Sequence, residues 1–173
     1  SLEEEVRRLL EEIKRLADEN RDYVRRSLET NKKTNKDNRD EIRKALERIK
    51  RLAREIERIR KEDLDRTIEK LKRELKKLRE DNEKRSKENE KSDRDVTEEN
   101  KRRAKRIRDE LRRTGVDEKL LREVEELLRR VEEEHERLHR ENRKLNDKDR
   151  ETLERLIREV DDLLRKLEEE ARR

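Results

Sequence analysis

The chain of 173 residues contains no cysteine, proline, methionine, tryptophan or phenylalanine, one glycine and one tyrosine. Each absence excludes something. Without cysteine there is neither a disulfide nor a thiolate nucleophile, and the redox compartment leaves no trace. One glycine cannot build a phosphate-cradling loop, which needs several. One aromatic side chain offers no stacking platform for bases. No apolar run approaches the roughly 18 residues of a membrane span, and the start of the chain has no apolar signal-peptide centre. A soluble protein is expected, with no readable address (cytoplasmic if expressed in a cell).

Charge is abundant instead. Asp, Glu, Lys and Arg make up 62% of the chain and apolar residues 25%. Read as an average, that balance suggests disorder. Disorder scatters its hydrophobes, however, and here they are phased along a chain dominated by Glu, Lys, Arg and Leu, all strong helix formers. The 56 basic and 51 acidic residues leave a net charge of only +5. With no clustering beside aromatics or a recognisable motif, this describes solvated helix faces rather than a nucleic-acid footprint.

From Leu2 the apolar residues run Val6, Leu9, Leu10, Ile13, Leu16, Ala17, Val24 and Leu28. They resume at Ile42, Ala45, Leu46, Ile49, Leu52, Ala53, Ile56 and Ile59. Steps of three and four mark one helical face. The gap keeps the same phase through Asn20, Ser27, Asn31, Thr34 or Asn35, and Asn38. A second stripe, Leu64, Ile68, Leu71, Leu75 and Leu78, continues through Asn82, Ser86, Asn89, Ser92, Val96 and Asn100 to Ala104, Ile107 and Leu111. The stripes change chemistry without breaking.

Three interruptions divide the pattern into four helices, about 2–61, 64–114, 117–145 and 148–172. Asp63 or Asp65 is a candidate N-cap for the second. Thr114-Gly115-Val116-Asp117 is the clearest turn, with glycine at a left-handed C′ position and Asp117 capping the third helix. Asn146-Asp147 supplies a third break. Asn38-x-x-Glu41 and Asp95-x-x-Glu98 resemble capping boxes and would give six helices, but the stripe runs in phase through both. The expectation is a single elongated all-α domain over residues 1–173. It is a coiled-coil-like bundle made of a long antiparallel hairpin and a shorter C-terminal hairpin.

Folding the second helix back at residue 63 sets residue k of the first level with about 125 − k of the second. The polar interval Asn31–Asn38 then faces the region of Asn89. Turning again at Gly115 puts Asn142 level with Asn89 and His135 level with Val96. A polar waist results, built from Asn20, Ser27, Asn31, Thr34, Asn35, Asn38, Asn82, Ser86, Asn89, Ser92, Asn100, His135 and Asn142. A buried amide or hydroxyl without a partner costs on the order of 1–3 kcal/mol, so the waist is either a connected network that penalises wrong registers or simply wet.

In this arrangement the hairpin tip, residues 42–78, has no further helix from its own chain. Its stripe (Ile42, Leu46, Ile49, Leu52, Ile56, Ile59, Ile68, Leu71, Leu75, Leu78) is then expected to be an oligomer interface, most simply in a two-fold dimer.

No catalytic constellation emerges. Carboxylate pairs on helix surfaces are solvated, and no Ser–His–Asp arrangement exists. Neither cofactor, metal nor small-molecule substrate is expected. His135 and His139, spaced i, i+4, could face a metal with Glu132 or Glu136 adding an oxygen. A core histidine beside a surface one is the simpler reading. Tyr23 is expected at a seam or boundary with its hydroxyl in water.

The Glu/Lys/Arg surface, the Leu/Ile/Val seams, the missing Cys, Met and Pro, and the Asn, Ser, Thr and His residues confined to core phase together resemble a de novo designed helical bundle with buried hydrogen-bond networks. That resemblance, of style and over the whole chain, implies a structural role: a self-associating scaffold without natural biochemical activity. The alternative is a natural coiled-coil adaptor or tether that docks partner helices.

Overall fold

The computed structural model describes residues 1–55 and 58–172. Among them are three helices and no strand: α1 (Leu2–Glu55), α2 (Lys61–Arg113) and α3 (Glu118–Ala171). The protein is an all-α helical bundle.

Helix ends follow local chemistry. Ser1 Oγ accepts from the Glu4 N–H at 3.4 Å, and Glu3, Glu4 and Glu5 place negative charge at the positive end of α1. Glu62 and Asp63 do the same in the first turn of α2. Between α2 and α3 the turn is the expected one. Gly115 has φ 75°, a conformation costly for any residue with a Cβ. The Asp117 carboxylate accepts from the Leu120 N–H at 2.8 Å, capping α3.

Two expected breaks are corrected. The described part of the first helix is Leu2–Glu55, and α2 starts at Lys61, so Asp63 and Asp65 lie inside α2 instead of capping it. Asn146-Asp147 is no break at all: α3 runs through it, and the shorter C-terminal hairpin does not exist. The reason is visible in the burial pattern. Val131, Leu138, Asn142, Asp149, Leu153, Leu156 and Val160 are all buried, at steps that sum to whole helical turns, so the inward stripe never loses phase. An Asp beside an Asn caps a helix only where the backbone has a reason to stop.

The chain packs as two compact units, each holding a stretch of every helix. The first comprises Ser1–Asn31 and Glu88–Arg143, the second Lys32–Lys87 and Lys144–Arg173.

In the first unit Leu9, Ile13 and Leu16 of α1 meet Ala104, Ile107 and Leu111 of α2 and Val124 and Leu128 of α3. The unit's core is three-helical. Each Leu or Ile removed fully from water contributes roughly 1.5–3 kcal/mol, which is what holds so charged a chain together.

In the second unit Leu46 and Ile49 of α1, Leu64, Ile68, Leu71 and Leu75 of α2, and Val160, Leu164 and Leu167 of α3 form one cluster. Ile42 of α1 packs with Leu153, Leu156 and Ile157 of α3 in another, with Leu78 against it. This corrects the expected interface. Ile42, Leu46, Ile49, Ile68, Leu71 and Leu75 are buried within the chain, and Leu52, Ile59 and Leu78 are partly buried against the same clusters. Ile56 lies outside the described residues. The third helix thought to be missing here is the C-terminal half of α3, so the stripe supplies no ground for self-association.

Candidate functional site

Buried polar side chains, rather than a cleft, are the features left unexplained by core packing. In the first unit they form a chain of hydrogen bonds across all three helices. Asn89 on α2 donates its amide to Asn31 on α1 at 3.3 Å. Asn31 donates to the carbonyl of Asn142 on α3 at 2.8 Å. Asn142 donates in turn to Oδ2 of Asp93 on α2 at 3.0 Å. The other oxygen, Oδ1, accepts from the Tyr23 hydroxyl at 2.8 Å and the Ser27 hydroxyl at 2.7 Å, both on α1.

Asp93, 4% exposed, is therefore a shared acceptor for three neutral donors. A buried carboxylate is tolerable only when its lone pairs are met, and donors converging on it from two other helices meet that condition. One turn on, Thr97 is fully buried, and its hydroxyl is spent on the Asp93 carbonyl at 2.7 Å. Beyond it Asn100 donates to Asn20 at 2.8 Å. Asn20 is wholly buried, and its own Nδ2 meets no partner.

The pairs Asn20 with Asn100, Ser27 with Asp93 and Asn31 with Asn89 advance seven and then four residues along α1 while retreating by the same steps along α2. That is a strict antiparallel register, five residues tighter than 125 − k because the turn comes earlier than residue 63. Asn31, Asn89 and Asn142 do share one layer.

The second unit holds a smaller set. Asn38 donates to Asn82, and Arg39 on α1 bonds to the buried Asp149 on α3. Asn35 is buried, with its Nδ2 unpartnered. Thr34 and Ser86 are half-buried.

Ser92 does not belong with these residues, because it is exposed and its neighbour Asp93 takes the inward position. A step of four from Asn89, not three, stays on the stripe. Asp93, Thr97, Arg39, Asp149 and the bonding role of Tyr23 are all missed by sequence reasoning. A charged residue reads as surface by type, although the phase itself marks Asp93 and Asp149 as inward.

The electrostatics follow. Burial, then the hydrogen bond to Asp93 and its charge, push the Tyr23 hydroxyl up to about 12, with Ser92 opposing. The hydroxyl expected in water is thus tied to a carboxylate. His135 is half-buried and edge-to-face with His139, ring centres 4.4 Å apart at 81°. Burial first, then the neighbouring His139 and Lys101, lower its affinity for a proton, with Glu98 and Glu136 opposing.

Surface features are plain by comparison. A depression lined by Arg8, Glu11, Glu12, Arg15, Leu16, Glu19 and Arg103 carries both signs of charge and no aromatic. Rim ion pairs such as Arg48–Glu74 at 2.6 Å and Arg112–Glu125 at 2.7 Å are largely exposed and stabilise by about 0–1 kcal/mol each. Among the described residues no helix is long and apolar enough to cross a membrane. No family model, curated protein or solved structure matches the chain.

Proposed function

We propose that this chain is a structural scaffold of the designed-bundle kind, complete within one copy, whose polar layers choose the register of its helices. The observation that carries this reading is the hydrogen-bond chain from Asn89 through Asn31 and Asn142 to Asp93, which draws on all three helices. A bundle held only by leucine and isoleucine seams can slide by a heptad at little cost. Sliding this one would strand a carboxylate and three amides, each at about 1–3 kcal/mol.

A tip-to-tip dimer has no support, since those of its expected interface residues that are described pack against other parts of the same chain. The adaptor reading needs an open apolar face, and Leu2 is the large apolar side chain that stands exposed among the described residues.

The test compares the full chain with a variant carrying leucine at positions 31, 89, 93 and 142. Light scattering should find the parent at the monomer mass of 21.6 kDa. The variant should melt at a higher temperature yet give mixed oligomers or broadened amide NMR spectra. A dimeric parent would refute completeness, and a variant as uniform as the parent would refute register selection.

A further inference from the structure

Each unit closes an apolar core of its own. The cluster around Ile13, Ile107 and Val124 falls within Ser1–Asn31 and Glu88–Arg143. The clusters around Ile49, Ile68 and Val160 and around Ile42 and Leu153 fall within Lys32–Lys87 and Lys144–Arg173. Side chains from all three helices meet in both units, so each core is complete by itself. The polar bonds sort in the same way. Those linking Asn89, Asn31, Asn142 and Asp93 belong to the first unit, and Asn38–Asn82 and Arg39–Asp149 to the second.

Every helix also has an interval in which the burial of apolar side chains stops. α1 has no apolar residue from 29 to 41, and α2 has none from 79 to 95. On α3 no apolar side chain between Leu138 and Leu153 is buried, Leu145 being half-buried. At about 1.5 Å per residue the interval on α1 is roughly 20 Å long.

We propose that each unit is a separate cooperative body, so that either can open its core while the other stays folded. Cooperativity is carried by shared burial. Truncating one core side chain weakens the neighbours packed on it, and the influence ends where the packing ends. What runs on without interruption is helical backbone, and that transmits little. A helix shortened from one side gives up its bonds residue by residue and needs no new nucleus. Partial opening would therefore expose one core with its own polar bonds and leave the helical stretches of the other unit formed.

Tyr23 makes this measurable. It is the chain's one aromatic residue of the Phe, Trp and Tyr type. It lies in the first unit, bonded to Asp93, so its fluorescence reports on that unit alone. Far-ultraviolet circular dichroism reads both. Leu71→Ala truncates a side chain buried in the second unit. In urea it should shift part of the dichroism transition down by about 1 M and leave the Tyr23 midpoint in place. Ile107→Ala, in the core of the first unit, should lower the Tyr23 midpoint and leave the rest of the dichroism transition unmoved. Amide hydrogen exchange in Leu71→Ala should speed up only within 32–87 and 144–173, even where that unit unfolds outright. If Leu71→Ala moves the Tyr23 midpoint along with the dichroism, or raises exchange across both units, the chain is one cooperative body and the proposal fails.

Discussion

Asn142 on α3 gives its amide hydrogen to Asp93 on α2 at 3.0 Å while its own carbonyl takes one from Asn31 on α1 at 2.8 Å. One side chain thereby ties three helices and hands the donor direction on to a carboxylate. Because Asp93 is the terminus of that chain, its removal should be felt by every member.

Asp93→Leu leaves the Tyr23, Ser27 and Asn142 donors without their acceptor. The two hydroxyls are half-buried and can recover water, but the Asn142 amide is buried and cannot. A loss of about 1–3 kcal/mol is expected. Urea unfolding should show it as a lower midpoint with unchanged slope. Asp93→Asn, which keeps one acceptor oxygen, should lose less.

The continuity of α3 can be tested at Asp147, which is exposed and helical. Inside a helix a proline removes a backbone hydrogen bond and clashes with the preceding turn, at about 3 kcal/mol or more. At the first turn of a new helix it is tolerated. Asp147→Pro should therefore lower the melting temperature sharply, and an unchanged value would restore the break at Asn146-Asp147.

Arg39 and Asp149 give a second measurable pair. Asp149 is 5% exposed and Arg39 only partly buried. Arg39→Leu alone leaves a buried carboxylate without its cation and should destabilise by about 1–3 kcal/mol, toward the lower side of what fully buried pairs lose. Replacing both by leucine should recover most of that loss or exceed the parent. A double-mutant cycle in urea checks both statements, and additivity of the two single changes would mean the pair does not interact.

Much of this fold is legible in the residues alone. The phase of the hydrophobes locates the inward stripes of α1 and α2, and Gly115 with Asp117 marks the turn into α3. The shared layer of Asn31, Asn89 and Asn142 follows from loop positions, even with the register five residues loose, because the polar interval Asn31–Asn38 is longer than that offset. The remainder is hidden by residue type. Asp93 and Asp149 sit at core phase, but a carboxylate reads as surface until its donors are known, and those donors lie 49 to 110 residues away in sequence. The continuity of α3 is obscured for a different reason. Asn146-Asp147 has the composition of a cap, yet the stripe passes through it in phase, just as it passes through the cap-like tetrads of α1 and α2. The second unit is misjudged in consequence, since a broken α3 cannot cover Ile42 and Leu46.

His135 makes stability depend on pH. Its proton affinity is lowered in the fold relative to the ordinary value of 6.5, so below pH 6.5 the unfolded chain takes up a proton that the folded chain resists. The contribution is whole above pH 6.5 and declines as pH falls through the lower, folded value. Melting temperature should drop over that window in chelator-treated buffer, and His135→Asn should flatten the decline. A parent whose melting temperature is the same at pH 7 and pH 5 would dismiss the effect.

Asp93 is the buried anion that collects hydroxyl and amide donors, and Tyr23 reports on it without interference, being the only aromatic of its kind in the chain. Tyrosinate absorbance followed against pH should give a midpoint raised to about 12 in the parent. Stability from this contact is complete below the ordinary value of 10.0 and disappears as pH rises through the folded midpoint. In Asp93→Asn the midpoint should fall while staying above 10.0, since burial remains. A parent titrating at 10.0, or an Asp93→Asn midpoint equal to the parent's, would contradict the hydrogen-bonded carboxylate on which the polar layer depends.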